Sequence, residues 1–355
     1  MSTPSAYPLK TFTAFVLFLF FSLNGFAQAQ KDSFYYAKMK HPGTQMISVH
    51  NGQYKVFTQK IGKGKIKLLL LHGGPGSSHE YFENFPVHLK KKGVTIYYFD
   101  QLGSYYSDNP LDSTVFTPAA FVEHVEEVRK GLGLDNFYLL GHSWGGLLAE
   151  LYAQKYQQHI KGLILSNVPG EYFSPIEKQK AFDDSLTKAW LSAAKGLPAF
   201  SAYPRAVVDS VFNGQTLADT ALSKKLHRLV PKALDSMMIR LTYYNKDDAM
   251  PEPLVRDEKH QRAMKNPYLG KMQMAHRKPD YKTALLSLQT KTLLLGSAQD
   301  YMYAQGYYDI QQALTKAKVR VHITPTGSHF AMWDDTKSYF AALSKFLKDV
   351  EKGRF

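Results

Sequence analysis

Residues Phe137–Gly146 read Phe-Tyr-Leu-Leu-Gly-His-Ser-Trp-Gly-Gly. The apolar run Phe137–Leu140 has the length of a buried strand, and Leu147–Tyr156 has the pattern of a helix. Between them lies Gly-x-Ser-x-Gly in the context that gives it meaning, a strand entering a sharp turn that opens a helix. Such a turn holds the serine in an unfavourable backbone conformation. Residues two positions to either side must be small, and Gly141 and Gly145 meet that need. The turn presents the Ser143 hydroxyl at the carboxyl edge of a sheet, above a helix N-terminus that favours negative charge.

Outward from this turn, further short apolar runs read as strands: Lys67–Leu71, Val94–Phe99, Ile160–Leu165, Thr292–Leu295 and Val319–Ile323. Continuous apolar strands imply a parallel sheet covered on both faces. Met46–Val49 and Tyr54–Thr58, around Asn51-Gly52, read as a leading antiparallel hairpin. Thr117-Pro118 offers an N-cap and a first-turn proline, followed by Phe121, Val122, Val125 and Val128 on one face. The last helix carries Phe340, Leu343, Phe346, Leu347 and Val350 at helical spacing. Between about Val168 and Thr290 the alternation stops and patterns such as Leu226–Met238 look helical. The expected organisation is a sheet domain formed by residues 30–167 and 285–355, with an inserted helical cap at 168–284.

The 355 residues include 21 % charged and 44 % hydrophobic residues, which is the balance of a globular chain and excludes wholesale disorder. There is no cysteine, so disulfides, thiolate nucleophiles, and zinc or iron–sulfur sites built on sulfur are excluded. Lys+Arg of 44 against Asp+Glu of 30 leaves +14. The basic residues are scattered, and the run Lys90–Lys92 before Gly93 reads as a helix end with its C-cap rather than a phosphate patch. No nucleic-acid partner is expected. At the N-terminus, Lys10, the apolar run Phe12–Leu23 and Ala27-Gln28-Ala29 form the pattern of a secretory signal over residues 1–29. The run is shorter than the ~20 residues of a spanning helix. A periplasmic or secreted protein without stable membrane insertion is expected, an uncleaved N-terminal anchor being the alternative.

His72-Gly73-Gly74-Pro75-Gly76 directly follows the first parallel strand. Few side chains obstruct such a loop, so its N–H groups can face a developing oxyanion. In α/β-hydrolases one oxyanion donor comes from this loop and one from the residue after the nucleophile, which assigns the backbone N–H groups of Gly74 and Trp144. His72 reads as a structural hydrogen-bonder. His329, in Gly-Ser-His-Phe after the last strand, fits the base. Asp300, just past the preceding strand, fits its orienting acid, while Asp334 and Asp335 read as caps of the final helix. The order Ser143, Asp300, His329 matches α/β-hydrolases.

With these motifs in place the chain resembles the proline iminopeptidase family. The resemblance rests on His-Gly-Gly-Pro-Gly at 72–76, Asp-Gln-Leu-Gly at 100–103, Gly-His-Ser-Trp-Gly-Gly at 141–146 and Gly-Ser-His at 327–329, and covers roughly residues 42–167 and 285–350. It implies an α/β-hydrolase fold, a mostly parallel sheet flanked by helices with an inserted helical cap that closes the substrate site. It also implies release of an N-terminal residue, typically proline, from small peptides by acyl transfer through serine, with no cofactor or metal. An esterase or lactonase acting on a non-peptide acyl group is the alternative. Leu102 stands where the family has arginine, and His142 where these peptidases often have glycine. The family holds the substrate amine with cap glutamates. Glu171, Asp247, Asp248 and Glu252 are the acidic candidates, each read first as surface charge, and Tyr243-Tyr244 reads first as core packing.

Overall fold

The computed structural model describes residues 31–170, 173–242, 250–264, 266–275 and 281–355. The signal-like segment 1–29, Glu171, Tyr243, Tyr244, Asp247 and Asp248 lie outside the described residues. Among the described residues, eight strands form one sheet: β1 (Thr44–Val49), β2 (Tyr54–Ile61), β3 (Ile66–Leu71), β4 (Val94–Phe99), β5 (Phe137–His142), β6 (Ile160–Ser166), β7 (Thr292–Ser297) and β8 (Val319–Thr324). Their order is β1-β2-β4-β3-β5-β6-β7-β8. The β1–β2 and β2–β4 pairs are antiparallel and every later pair is parallel.

The helices are α1 (Ser33–Met39), α2 (Phe85–Leu89), α3 (Pro118–Gly131), α4 (Trp144–Tyr156), α5 (Ile176–Lys195), α6 (Arg205–Phe212), α7 (Thr220–Thr242), α8 (Glu252–Ala263), α9 (Pro267–Ala275), α10 (Tyr281–Leu286), α11 (Gly306–Ala313), α12 (Ala331–Asp334) and α13 (Thr336–Glu351). Among the described residues, the stretch between β6 and β7 is helical and contributes nothing to the sheet. No described helix is long and apolar enough to cross a membrane.

The apolar strands are continuous because each faces two cores. Leu69, Leu71, Tyr97 and Phe99 project into one cluster with Phe121, Val125 and Val128 of α3 and Leu148 and Tyr152 of α4. The alternate residues Leu68, Leu70, Ile96 and Tyr98 project into the other, with Tyr339, Leu343, Phe346 and Leu347 of α13. A period of two along the strand therefore gives no polar face. Thr117 caps α3 by accepting from the Ala120 N–H at 3.1 Å, with Pro118 at the first helical position. Lys90–Lys92 form a 3-10 turn ending at Gly93, whose φ of 78° is the left-handed stop expected there. Because β3, β5, β6, β7 and β8 run parallel, their carboxyl ends and the loops that leave them share one edge of the sheet.

Candidate active site

Five connections leaving that edge carry the candidate residues: His72–Ser78 after β3, Ser143 after β5, Asn167 after β6, and the segments carrying Asp300 after β7 and His329 after β8. Ser143 has φ 55° and ψ −125°, a conformation costing on the order of 1–3 kcal/mol for a non-glycine residue. Its N–H donates to Ser166 O at 3.0 Å, fixing the turn to the neighbouring strand. A Cβ at Gly141 would overlap the Gly145 carbonyl, and one at Gly145 would stand 2.5 Å from His72 O. These glycines let the turn, the helix behind it and the β3 loop occupy one small volume. Trp144 opens α4, so its N–H belongs to the first helical turn, where donors have no acceptor within the helix.

The His72–Gly76 loop passes directly over the serine. A Cβ on Gly73 would lie 2.9 Å from Ser143 Cβ and 3.4 Å from Ser143 Oγ. Gly74 has φ 108° and is joined to Pro75 by a cis peptide. His72, fully buried, organises the loop as the structural residue expected. Its Nε2 accepts from Gln101 N at 2.9 Å, and its Nδ1 donates to Gly73 O at 2.9 Å. Burial holds His72 below the usual histidine range, so the neutral ring is retained. Gln101 donates to His72 O at 2.7 Å and accepts from the Trp144 indole at 3.2 Å, tying the loop to the turn after Ser143. Asp100 accepts from His79 N at 2.6 Å and faces His79 Nδ1 at 3.0 Å, supporting the start of the next turn. Leu102 is fully buried within the apolar cluster that also holds Phe116 and Leu269.

Asp300 and His329 come together although 29 residues separate them. His329 Nδ1 lies 3.1 Å from Asp300 Oδ1 and 3.2 Å from Oδ2, and both residues are buried. Asp300 also accepts from Met302 N at 3.1 Å and from Asn167 Nδ2 at 2.7 Å. These donors keep the carboxylate in one orientation. The Tyr301 ring packs on the imidazole, with centroids 4.6 Å apart. Asp335 caps α13 through Ser338 N, as expected. Asp334 does not cap that helix. It accepts from Ser328 N at 3.0 Å and from Ser328 Oγ, and so holds the residue before His329. The sequence placed an acid near a helix start, while the loop fold turned it back towards the strand end.

Two further residues were missed by sequence reasoning. Asn167, with φ 50°, reaches Asp300, Ser297 Oγ at 2.9 Å and Ser328 O at 3.2 Å. Its signal was an asparagine directly after a strand, a residue that tolerates the left-handed region. Tyr81 completes a buried chain. His142 Nε2 donates to His329 O at 2.8 Å, which leaves Nδ1 to accept from Tyr81 Oη at 3.2 Å. Tyr81 Oη in turn accepts from Gly73 N. Every group in that chain is satisfied only if His142 is neutral, and burial pushes His142 well below its usual range. His142 thus links the backbone of His329 to the loop over Ser143.

A family model described as the alpha/beta hydrolase fold matches residues 67–336. The chain is 35 % identical over 319 residues to the proline iminopeptidase of Elizabethkingia meningoseptica, covering 87 % of this chain and 99 % of that one. It is 36 % identical over 307 residues to that of Flavobacterium johnsoniae, covering 84 % and 95 %. The chain belongs to the proline iminopeptidase family of α/β-hydrolases. The fold is shared with the crystal structure of a proline iminopeptidase from Mycobacterium smegmatis, at TM-score 0.65 and 18 % identity over 88 % of this chain and all of that one. Glu252 is largely exposed, as the surface-charge reading expects, and pairs with Arg256 one turn along its own helix. Among the described residues no group of three or more His, Asp or Glu is arranged to hold a metal ion.

Proposed function

We propose that this protein is a serine exopeptidase that releases an N-terminal residue, proline above all, from small peptides. The observation that carries the reading is the joint placement, at one sheet edge, of a strained serine beneath a glycine loop and an Asp300–His329 pair anchored to the serine's neighbour. Ser143 is the nucleophile. Asp300 occupies His329 Nδ1, which leaves Nε2 to take the Ser143 proton as the hydroxyl attacks the scissile carbonyl. The Gly74 and Trp144 N–H groups receive the oxyanion. Removing one such donor typically costs about 2.7–4 kcal/mol. Protonated His329 returns its proton to the leaving amine, and water activated by the same ring frees the acyl group. Asp300 stabilises the imidazolium and holds its tautomer. The helical stretch between β6 and β7 serves as the cap over this edge.

The test compares prolyl-naphthylamide, its N-blocked form and short acyl esters. An exopeptidase turns over the free amine substrate and rejects the blocked one. Efficient ester cleavage with no amide turnover would replace this reading with an esterase of the same site. Residues 1–29 support a second proposal, export to the periplasm or medium. Sequencing of the exported protein from Gln30 is the expected result, and a retained Met1 would refute it.

A further inference from the structure

Helix α8 lies in the stretch between β6 and β7, yet one of its faces is devoted to the loop over Ser143 and the turn that follows. Asp257 Oδ1 accepts from Ser78 N at 2.6 Å and Ser78 Oγ at 2.8 Å, across 179 residues. Arg256 meets Glu80 and Glu83, each at 2.5 Å. His260 bridges Glu80 at 2.8 Å and Asp32, ahead of α1, at 2.9 Å. Gln261 Nε2 stands 3.1 Å from where a Cβ on Gly74 would be. In α9, Leu269 closes in similarly on Gly76. Ser78 is the first residue fixed by a side chain after Gly76, so whatever holds Ser78 determines where the downstream half of the loop sits.

We propose that Asp257 is a positioning residue that locks the oxyanion loop only when α8 is seated on it, so that closing the helical stretch and completing the oxyanion site are one event. The inference rests on Ser143 being the nucleophile but not on proline as the substrate. Asp257 and Glu80 are both buried, and both face the Ser78 hydroxyl, which stands 3.2 Å from Glu80 Oε2. Two buried carboxyl groups facing one hydroxyl repel each other when both are ionised, which favours the neutral form of the less well partnered one. Glu80 is the ionised member: its partners His260 and Tyr106, with His79 nearby, hold it down at about 2 against the upward push of burial. Asp257 is the neutral one, pushed up to about 8 by burial and by the charge of Glu80, with Asp100 adding to the effect. The other groups facing this pair are Arg256 and His260 from α8, Glu83 and Tyr81 from the turn before α2, and Asp32 from the N-terminal segment. Ionisation of Asp257 places a second negative charge against Glu80 in a buried space and drives α8 off the loop.

Fluorophosphonate labelling of Ser143 across pH 5–10 reads this directly and does not depend on the natural substrate. In the wild-type protein the labelling rate is expected to fall severalfold between about pH 8 and 9.5. Asp257→Asn, which keeps the acceptor oxygen and cannot ionise, is expected to remove that fall. Ser78→Ala is expected to label roughly tenfold more slowly at every pH, as a misplaced donor would, with the melting temperature at pH 7 little changed. A wild-type rate that stays level to pH 9.5, an Asp257→Asn variant that keeps the alkaline fall, or a Ser78→Ala variant that labels at the wild-type rate would each overturn the proposal.

Discussion

The sheet edge and helix α8 both contact the loop after β3, and they are built on different physics. At the edge, each position follows from backbone constraints: glycines where a Cβ cannot fit, a serine at φ 55°, parallel strands ending together. Along α8 the contacts are polar and distant in sequence, between side chains that would be ordinary surface residues on an isolated helix. Its twelve residues, Glu-Pro-Leu-Val-Arg-Asp-Glu-Lys-His-Gln-Arg-Ala, bury Arg256, Asp257 and His260 together with Leu254. A charge-rich helix can thus pack against the loop over Ser143, provided each buried charge finds a partner.

The largest test of this contrast is Ser143→Ala. Turnover is expected to fall by on the order of 10⁴–10⁶-fold and fluorophosphonate labelling to vanish; labelling that persists in the mutant would remove the serine from its role. Asp300→Asn comes next, with kcat reduced roughly 10⁴-fold and KM little changed, because the neutral amide no longer selects the tautomer in which His329 Nε2 is free. A kcat within tenfold of wild type would show that Asn167 and Met302 N hold the histidine loop without the carboxylate's charge.

Tyr81→Phe probes the chain that joins the two loops. It removes one hydroxyl, leaving the Gly73 N–H and His142 Nδ1 unserved at nearly constant volume. The expected loss is roughly tenfold in kcat, the effect of slightly displacing an oxyanion donor, with destabilisation of about 1–3 kcal/mol measured by denaturant unfolding. Equal kcat in mutant and wild type would confine Tyr81 to packing.

The smallest effects concern stability, and two buried histidines make them differ in sign. His124, on α3 in the sheet domain, has no partner for either ring nitrogen among the described residues, and burial lowers it to about 4. The folded protein therefore resists protonation that the unfolded chain accepts, so stability is full above about pH 6.5 and falls as pH drops towards 4. His124→Phe should flatten that acid loss, worth at most about 3 kcal/mol. His260, on α8, is raised by Glu80 and Asp32 against the opposing effect of burial. Its contribution is complete below about pH 6.5 and is lost as pH rises through the higher folded value. His260→Gln should lower the melting temperature at pH 6 and narrow the difference from wild type at higher pH. Melting curves from pH 4 to 9 check both, and matching slopes in wild type and variants would undo the contrast.

The strand-turn-helix around Ser143, the glycine loop after β3 and the late Asp300 and His329 were all readable in advance. Each is a local pattern whose meaning is carried by residue type and order. Asp334 was misplaced as a helix cap, because whether an acid at a helix start faces its own helix or a neighbouring loop is not a local property. Asn167, Tyr81 and the buried face of α8 left almost no trace, since asparagine, tyrosine and a run of charged residues occur equally well on a solvated surface.

From residue order alone came a wound sheet, its chemical edge and the kind of reaction that edge supports, for the reason that backbone sterics and alternating burial act over a few residues at a time. Folding in three dimensions decided the surroundings that hold Glu80 down and push Asp257 up. It also decided which tautomer His142 keeps and which distant helix closes over Gly74. Those outcomes depend on burial and on partners, such as Ser78 with Asp257, that only the packed chain brings within hydrogen-bonding distance.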